Sequence, residues 1–144
     1  MDKKDYVAFE TERQSGTFQE AIGMYSALNL WRFCGVTSPK VPVTETLILQ
    51  TVERINGLRE YRKVPAVFNQ GMPAVPAQQV PHAMKRLVEA INAHGFDEPD
   101  LLTKEFLEIH PFADGNGRVG SILWNYLKGT LEIPESMPYF FGEG

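Results

Sequence analysis

The residues best suited to do chemistry lie in one run, His110-Pro111-Phe112-Ala113-Asp114-Gly115-Asn116-Gly117-Arg118. His110 can act as a general base toward a hydroxyl near neutral pH. Asp114, four residues on, is a hard oxygen ligand of the kind Mg²⁺ takes together with substrate phosphates. Gly115 and Gly117 let the main chain approach a ligand without Cβ clashes, and Asn116 adds an amide between them. Arg118 supplies a permanent charge on a planar donor fork. An apolar segment precedes the run and another follows it, which predicts helix, tight loop, helix. The first turn of the second helix leaves N–H donors free for an anion. Together these groups suit in-line attack of a hydroxyl on a phosphate. A plain helix–turn–helix corner would explain the glycines, but not why base, acid, amide and arginine coincide.

The elements that must hold this loop read as helices. Around the loop, Leu102, Phe106 and Ile109 form a stripe on a segment opened by Pro99 and Asp100, with Leu101 adjacent, and this segment delivers His110 at its end. Phe112 reads as a core anchor. The following helix starts near Asn116 or Gly117, carries Val119, Ile122, Leu123, Trp124, Tyr126 and Leu127, and ends at Gly129. Upstream, residues 80 to 94 place Met84, Leu87, Val88 and Ile91 at helical steps, with Pro81 in the first turn and Gly95 as a stop. A helix from 44 to about 58 has Thr44 as its cap and Ile48, Val52 and Ile55 as its stripe, with Leu47 and Leu58 beside it and Gly57 weakening its last turn. A further helix, from 17 to about 33 and capped by Thr17, places Phe18, Ile22, Tyr25 and Leu28 or Asn29 on one side. Gly35, Ser38-Pro39 and Pro42 make a linker after it. Residues 1–16 lack a sustained period and read as an arm ordered by Tyr6, Val7 and Phe9.

Residues 61–79 break the helical pattern. Residues 61 to 68 are rich in extended formers, Asn69-Gln70-Gly71 signals a turn, and Pro73 and Pro76 block helix. The expectation is a short irregular β-hairpin at the edge of the fold. Met137, Tyr139, Phe140 and Phe141, set among Pro134 and Pro138, suggest a short helical turn capping the core. The fold class expected is all-α: a compact helical bundle with a short hairpin ahead of the loop-bearing helices, forming a single domain over 17–144.

The totals restrict the partners. The chain has 144 residues, 43% hydrophobic and 22% charged, with a net charge of −4, ordinary for one globular domain. An acidic balance gives no support to nucleic acid or an anionic membrane as a partner. Cys34 is the only cysteine; it sits in an apolar run as a small hydrophobe, and the lack of a second excludes an internal disulfide. No apolar run is long enough to span a bilayer, and Met1-Asp2-Lys3-Lys4-Asp5 does not resemble a secretory signal. A cytoplasmic location is expected. His82 and His94, at opposite ends of one helix, read as exposed or capping residues rather than zinc ligands.

The run at 110–118 resembles the signature of the Fic family, His-Pro-Phe-x-(Asp/Glu)-Gly-Asn-Gly-Arg-x-x-Arg. Every defined position matches except the last, where Ser121 replaces the second arginine. The resemblance implies a Fic fold and, as activity, protein adenylylation: transfer of AMP from ATP to a Ser, Thr or Tyr hydroxyl of a target protein. It implies that His110 takes the hydroxyl proton and that Asp114 holds Mg²⁺ on the phosphates. Gly115, Gly117 and the Asn116 side chain would form an anion hole, and Arg118 would contact phosphate. The hairpin corresponds to the family's flap, with Val64, Ala66, Val67 and Phe68 on the edge that aligns the target. In the family the second arginine meets the terminal phosphate, or in autoinhibited members a glutamate of a Ser/Thr-x-x-x-Glu-Gly/Asn motif. That motif is missing as well: Glu143-Gly144 is preceded by Tyr139 where Ser or Thr belongs. A separate antitoxin or inhibitor protein is therefore an expected partner. The related Doc subgroup carries lysine where Gly117 stands, which favours nucleotidyl over phosphate transfer here. Ser121 keeps two alternatives open: another donor on the same scaffold (UMP, phosphocholine or phosphate), or a non-catalytic nucleotide-binding or toxin–antitoxin module.

Overall fold

A computed structural model describes residues 2–13, 18–33, 42–68 and 71–141. In chain order these form α1 (Lys3–Arg13), α2 (Phe18–Phe33), α3 (Glu45–Asn56), β1 (Val67–Phe68), β2 (Met72–Pro73), a 3₁₀ turn at Ala77–Gln79, α4 (Val80–His94), α5 (Pro99–Ile109) and α6 (Asn116–Lys128). The fold is all-α with one small antiparallel hairpin, as expected.

Helix α6 runs through the middle of the core, with Val119 and every residue from Ile122 to Leu127 buried. Facing it are Phe106 of α5, Ile48 and Val52 of α3, and Trp31 of α2, all within one hydrophobic cluster. Trp31 meets Tyr126 edge-on at 5.4 Å, and its indole N–H donates to Thr51 Oγ1 at 2.7 Å. The helix ends follow capping rules. Thr44 accepts from the Leu47 N–H at 3.0 Å. Gly57 and Gly129 take left-handed conformations past α3 and α6, so Gly57 terminates its helix rather than weakening it. Gly95 also follows a helix end but keeps a right-handed φ of −57°. A Cβ there would stand 2.5 Å from both the Ile91 carbonyl oxygen and Leu127 Cδ2, so the helix end and its packing on α6 leave no room for a side chain.

Four expectations need correction. The arm at 1–16 contains a helix, α1, whose Tyr6 and Val7 are buried in the core while Phe9 is exposed. Helix α2 buries Met24, Ala27, Leu28 and Trp31, and leaves Ile22 exposed. The physical reason lies at Gly23, where an added Cβ would collide with the Arg54 carbonyl of α3; the two helices approach on that side. Leu58 and Leu101 are exposed rather than beside the core. Through Phe141, the last described residue, the tail forms no helical turn. It runs irregularly along the surface, buries Leu131 and Met137, and sets Phe141 against Phe68 of β1 at 5.1 Å. Thr17, Cys34, Gly35, Ser38-Pro39, Asn69, Gln70 and Glu143-Gly144 lie outside the described residues.

Candidate active site

Helix α5 ends at Ile109, and His110 follows in a left-handed conformation, φ 51° and ψ 60°, its N–H bonded to the Phe106 carbonyl at 3.0 Å. Among the described residues it is the one non-glycine with positive φ. Such a backbone costs of order 1–3 kcal/mol and persists only where surrounding structure imposes it. The imidazole at this turn is half-buried. Burial holds its pKa below the ordinary 6.5; a hydrogen bond with the Leu107 main chain opposes this, and the nearby Arg62 charge adds to the depression. A neutral ring that donates through one nitrogen to a carbonyl presents the other as an acceptor, as a general base requires.

The loop closes on itself through Asn116. Its side chain, buried at the start of α6, accepts from the Phe112 N–H at 2.9 Å and donates to the Phe112 carbonyl at 2.8 Å. Both sides of the amide are thus committed to the main chain. The side chain expected in the anion hole instead ties the loop. Phe112 is buried as anticipated, stacked on Tyr61 at 5.9 Å, and Tyr61 in turn donates to Glu45 of α3 at 2.7 Å. Gly115 adopts φ 90°, and a Cβ there would press on Ile55 Cγ2 at 3.1 Å. Its carbonyl accepts the Val119 N–H at 2.9 Å, the first bond of α6. The N–H groups of Asn116, Gly117 and Arg118 therefore lie in the turn where helix donors lack intrahelical partners.

Asp114 and Arg118 meet across one helical turn, Oδ1 to guanidinium 3.3 Å. The arginine side chain is 3% exposed and the carboxylate 65%. The carboxylate faces solvent while its main-chain carbonyl accepts from Asn56 Nδ2 at 2.9 Å. No cluster of three or more His, Cys, Asp or Glu side chains able to hold a metal occurs among the described residues. A single exposed carboxylate fits Mg²⁺, which takes one or two carboxylates and fills its shell with phosphates and water.

The hairpin lies beside this loop. Val67 pairs with Pro73 and Phe68 with Met72, and the Ala74 N–H donates to the Ala66 carbonyl at 3.0 Å. Hydrogen-bonded pairs alternate with non-bonded ones in an antiparallel ladder. Pro73 therefore occupies a non-bonded position, where its missing N–H costs nothing. The same alternation points the Val67 N–H and carbonyl away from β2, and Val67 is 61% exposed. Ala66 bonds inward to β2, and the Val64 carbonyl accepts from Arg62. Of the four flap residues expected to face a target, Val67 is the one whose main chain this register turns away from β2.

The sequence model of the Fic/DOC family matches residues 42–127, more than half of the chain. The chain belongs to the Fic/DOC family. This is a family of transferases. Solved structures of similar fold include a Fic domain containing signaling protein from Bacteroides thetaiotaomicron (TM-score 0.69, 23% identity, 78% of this chain and 48% of that one). Another is Fic-1, residues 134–508, from C. elegans (TM-score 0.67, 23% identity, 81% and 37%). A Fic family protein from Desulfovibrio desulfuricans matches with a TM-score of 0.62, 22% identity, and 85% and 41% coverage. The chain spans less than half the length of each. No curated protein matches the sequence.

The departure from the Fic signature is explained by packing. Ser121 is fully buried, and its Oγ lies 2.6 Å from the hydroxyl of Tyr6, also fully buried. The first helix thus fills the space beside the position where the signature has its second arginine. Sequence reading missed three residues around the site: Tyr6, Asn56 and Arg62. Arg62 is 5% exposed, and no periodic pattern marks it.

Proposed function

We propose that this Fic-fold chain is a protein adenylyltransferase, moving AMP from ATP to a Ser, Thr or Tyr hydroxyl of a target protein. The observation that carries this reading is the arrangement at the α5–α6 junction. A half-buried imidazole with depressed pKa opens a loop that offers helix N-terminal donors, the Arg118 guanidinium and one exposed carboxylate.

In the reaction, the neutral nitrogen of His110 accepts the proton of the target hydroxyl. The hydroxyl oxygen bonds to the α-phosphorus, the α–β bridging P–O bond breaks, and pyrophosphate leaves with that electron pair. Main-chain N–H groups at Gly117 and its neighbours, with Arg118, stabilise the charge on the phosphate oxygens. Bound at Asp114, Mg²⁺ would neutralise phosphate charge and support the leaving group. The Val67 edge would take the target segment by strand addition, aligning its hydroxyl with His110.

A second reading, transfer from another donor, is favoured by Ser121. Its hydroxyl is occupied by Tyr6 and cannot replace a bidentate guanidinium for a terminal phosphate. Intact-mass analysis tests both. Wild type and His110→Ala are incubated with Mg²⁺ and each nucleoside triphosphate, and separately with UDP- and CDP-linked donors, with and without cell lysate. An AMP adduct dependent on His110 and Mg²⁺ is expected. Adducts only from another donor would move the assignment to the second reading. Nucleotide binding without any adduct would favour a non-catalytic module.

A further inference from the structure

We propose that Arg62 is a positioning residue that sets the flap at a fixed height over His110, and so governs transfer to a protein target. The inference rests on the transferase reading above. It is carried by the set of partners this one residue gathers. Its Nε donates to the His110 carbonyl at 2.6 Å, and a terminal guanidinium nitrogen reaches the Ile109 carbonyl at 3.1 Å. Its own N–H donates to the Pro111 carbonyl at 2.8 Å. Three consecutive carbonyls at the end of α5 are thereby satisfied by one residue. They lie where a helix lacks intrahelical donors and where a cation is favoured by the helix dipole. On its other side the guanidinium donates to Val64 at 2.8 Å, before β1, and to the Val75 carbonyl, after β2. One fork thus joins both limbs of the hairpin to the turn that bears the imidazole.

The arrangement is specific to arginine. Among the described residues none of these partners is a carboxylate, so the buried charge is balanced entirely by main-chain dipoles. Lysine keeps the charge, but its donors radiate from a single nitrogen and cannot span both flap limbs and two carbonyls of the turn. The strained φ of His110 needs an external constraint, and bonds to the carbonyls of 109, 110 and 111 provide it. Tyr61 adds a second anchor at the base of the flap, through its Glu45 bond and its stacking on Phe112.

The test uses Arg62→Lys in the full chain, with Arg62→Gln as the second variant, and has two arms. Amide hydrogen exchange requires no activity. Hairpin amides, including the Ala74 N–H, should exchange about tenfold faster or more in Arg62→Lys, as expected from loss of charge-assisted hydrogen bonds. Exchange at Ile122 and Leu123 in α6 should stay within about twofold. Equal acceleration in α6 would mean a merely structural role, and unchanged hairpin exchange would mean no clamp; either overturns the proposal. The kinetic arm uses whichever nucleotide donor wild type consumes. Donor affinity should be retained, while labelling of lysate proteins falls about tenfold or more. An equal loss of donor affinity, or unchanged labelling, would refute flap positioning. If wild type consumes no donor, the transferase reading fails separately, and hydrogen exchange alone decides whether Arg62 holds the flap.

Discussion

The contact between Tyr6 and Ser121 allows a double-mutant test of why this chain departs from its family signature. Both side chains are fully buried and their hydroxyls lie 2.6 Å apart. Tyr6→Phe deletes one partner and leaves the Ser121 hydroxyl buried, at a cost of about 1–3 kcal/mol. Ser121→Ala removes one partner of the Tyr6 hydroxyl at a cost of about 1 kcal/mol, offset by about 0.5 kcal/mol because alanine is the better helix former within α6. Removing both partners leaves no hydroxyl unsatisfied, so the double variant should be less destabilised than the sum of the singles by about 1 kcal/mol or more. For a chain near this size 1 kcal/mol moves the melting temperature by roughly 2–4 °C, within reach of calorimetry or urea titration. Ser121→Arg should be far worse than either, because it forces a guanidinium into space filled by α1. Additive singles, agreeing with the double variant to within about 0.5 kcal/mol, would refute the pairing. A Ser121→Arg protein as stable as wild type would refute the claim that α1 blocks the signature arginine.

Two further outcomes are expected. Asn116→Ala should lower stability by about 2 kcal/mol or more without any nucleotide present, since it strands the buried Phe112 N–H and carbonyl; an unchanged melting temperature with lost nucleotide binding would make the amide a ligand group instead. The transfer rate should rise with pH along a limb whose midpoint lies below 6.5, because burial and then the Arg62 charge disfavour protonated His110. The same group links to stability: between its depressed folded value and 6.5 the unfolded chain holds more protons, so stability climbs with pH through that window and levels off above it. NMR titration of the His110 ring checks the midpoint; a value at or above 6.5 would remove the depression.

What could be read from the sequence followed the strength of the local pattern. Helices α4, α5 and α6 carry apolar stripes at helical steps, and their bounds fell within a residue or two of expectation. The hairpin was readable because turn and proline signals are local. Helix α1 was not, since only Tyr6 and Val7 of its short apolar set enter the core, too few to mark a period. Helix α2 is apolar on more than one side, so spacing could not choose its buried face. The choice was made by Gly23 against the Arg54 carbonyl, a contact between residues far apart in the chain. The exposed position of Phe33 and the irregular tail have the same origin, tertiary packing that no local spacing encodes.

Within the signature loop, residue types were legible but their partners were not, and burial separates the two roles. Asn116 is sequestered against main-chain groups or core, as are Arg62 and Ser121. An amide, guanidinium or hydroxyl in that setting must be fully bonded, because an unsatisfied buried group costs more than the bond returns. These residues therefore hold geometry. Asp114, the Gly117 N–H region and the imidazole of His110 are less enclosed. Their groups stay available because the buried ones have already fixed the turn, the loop and the flap. Arg118 spans both classes: its side chain is buried, yet its guanidinium meets the exposed Asp114 carboxylate. A signature lists both kinds of residue as one string. On the proposed function the chemistry belongs to the solvent-facing members, and substitution at the buried ones should alter stability and placement before it alters the reaction itself.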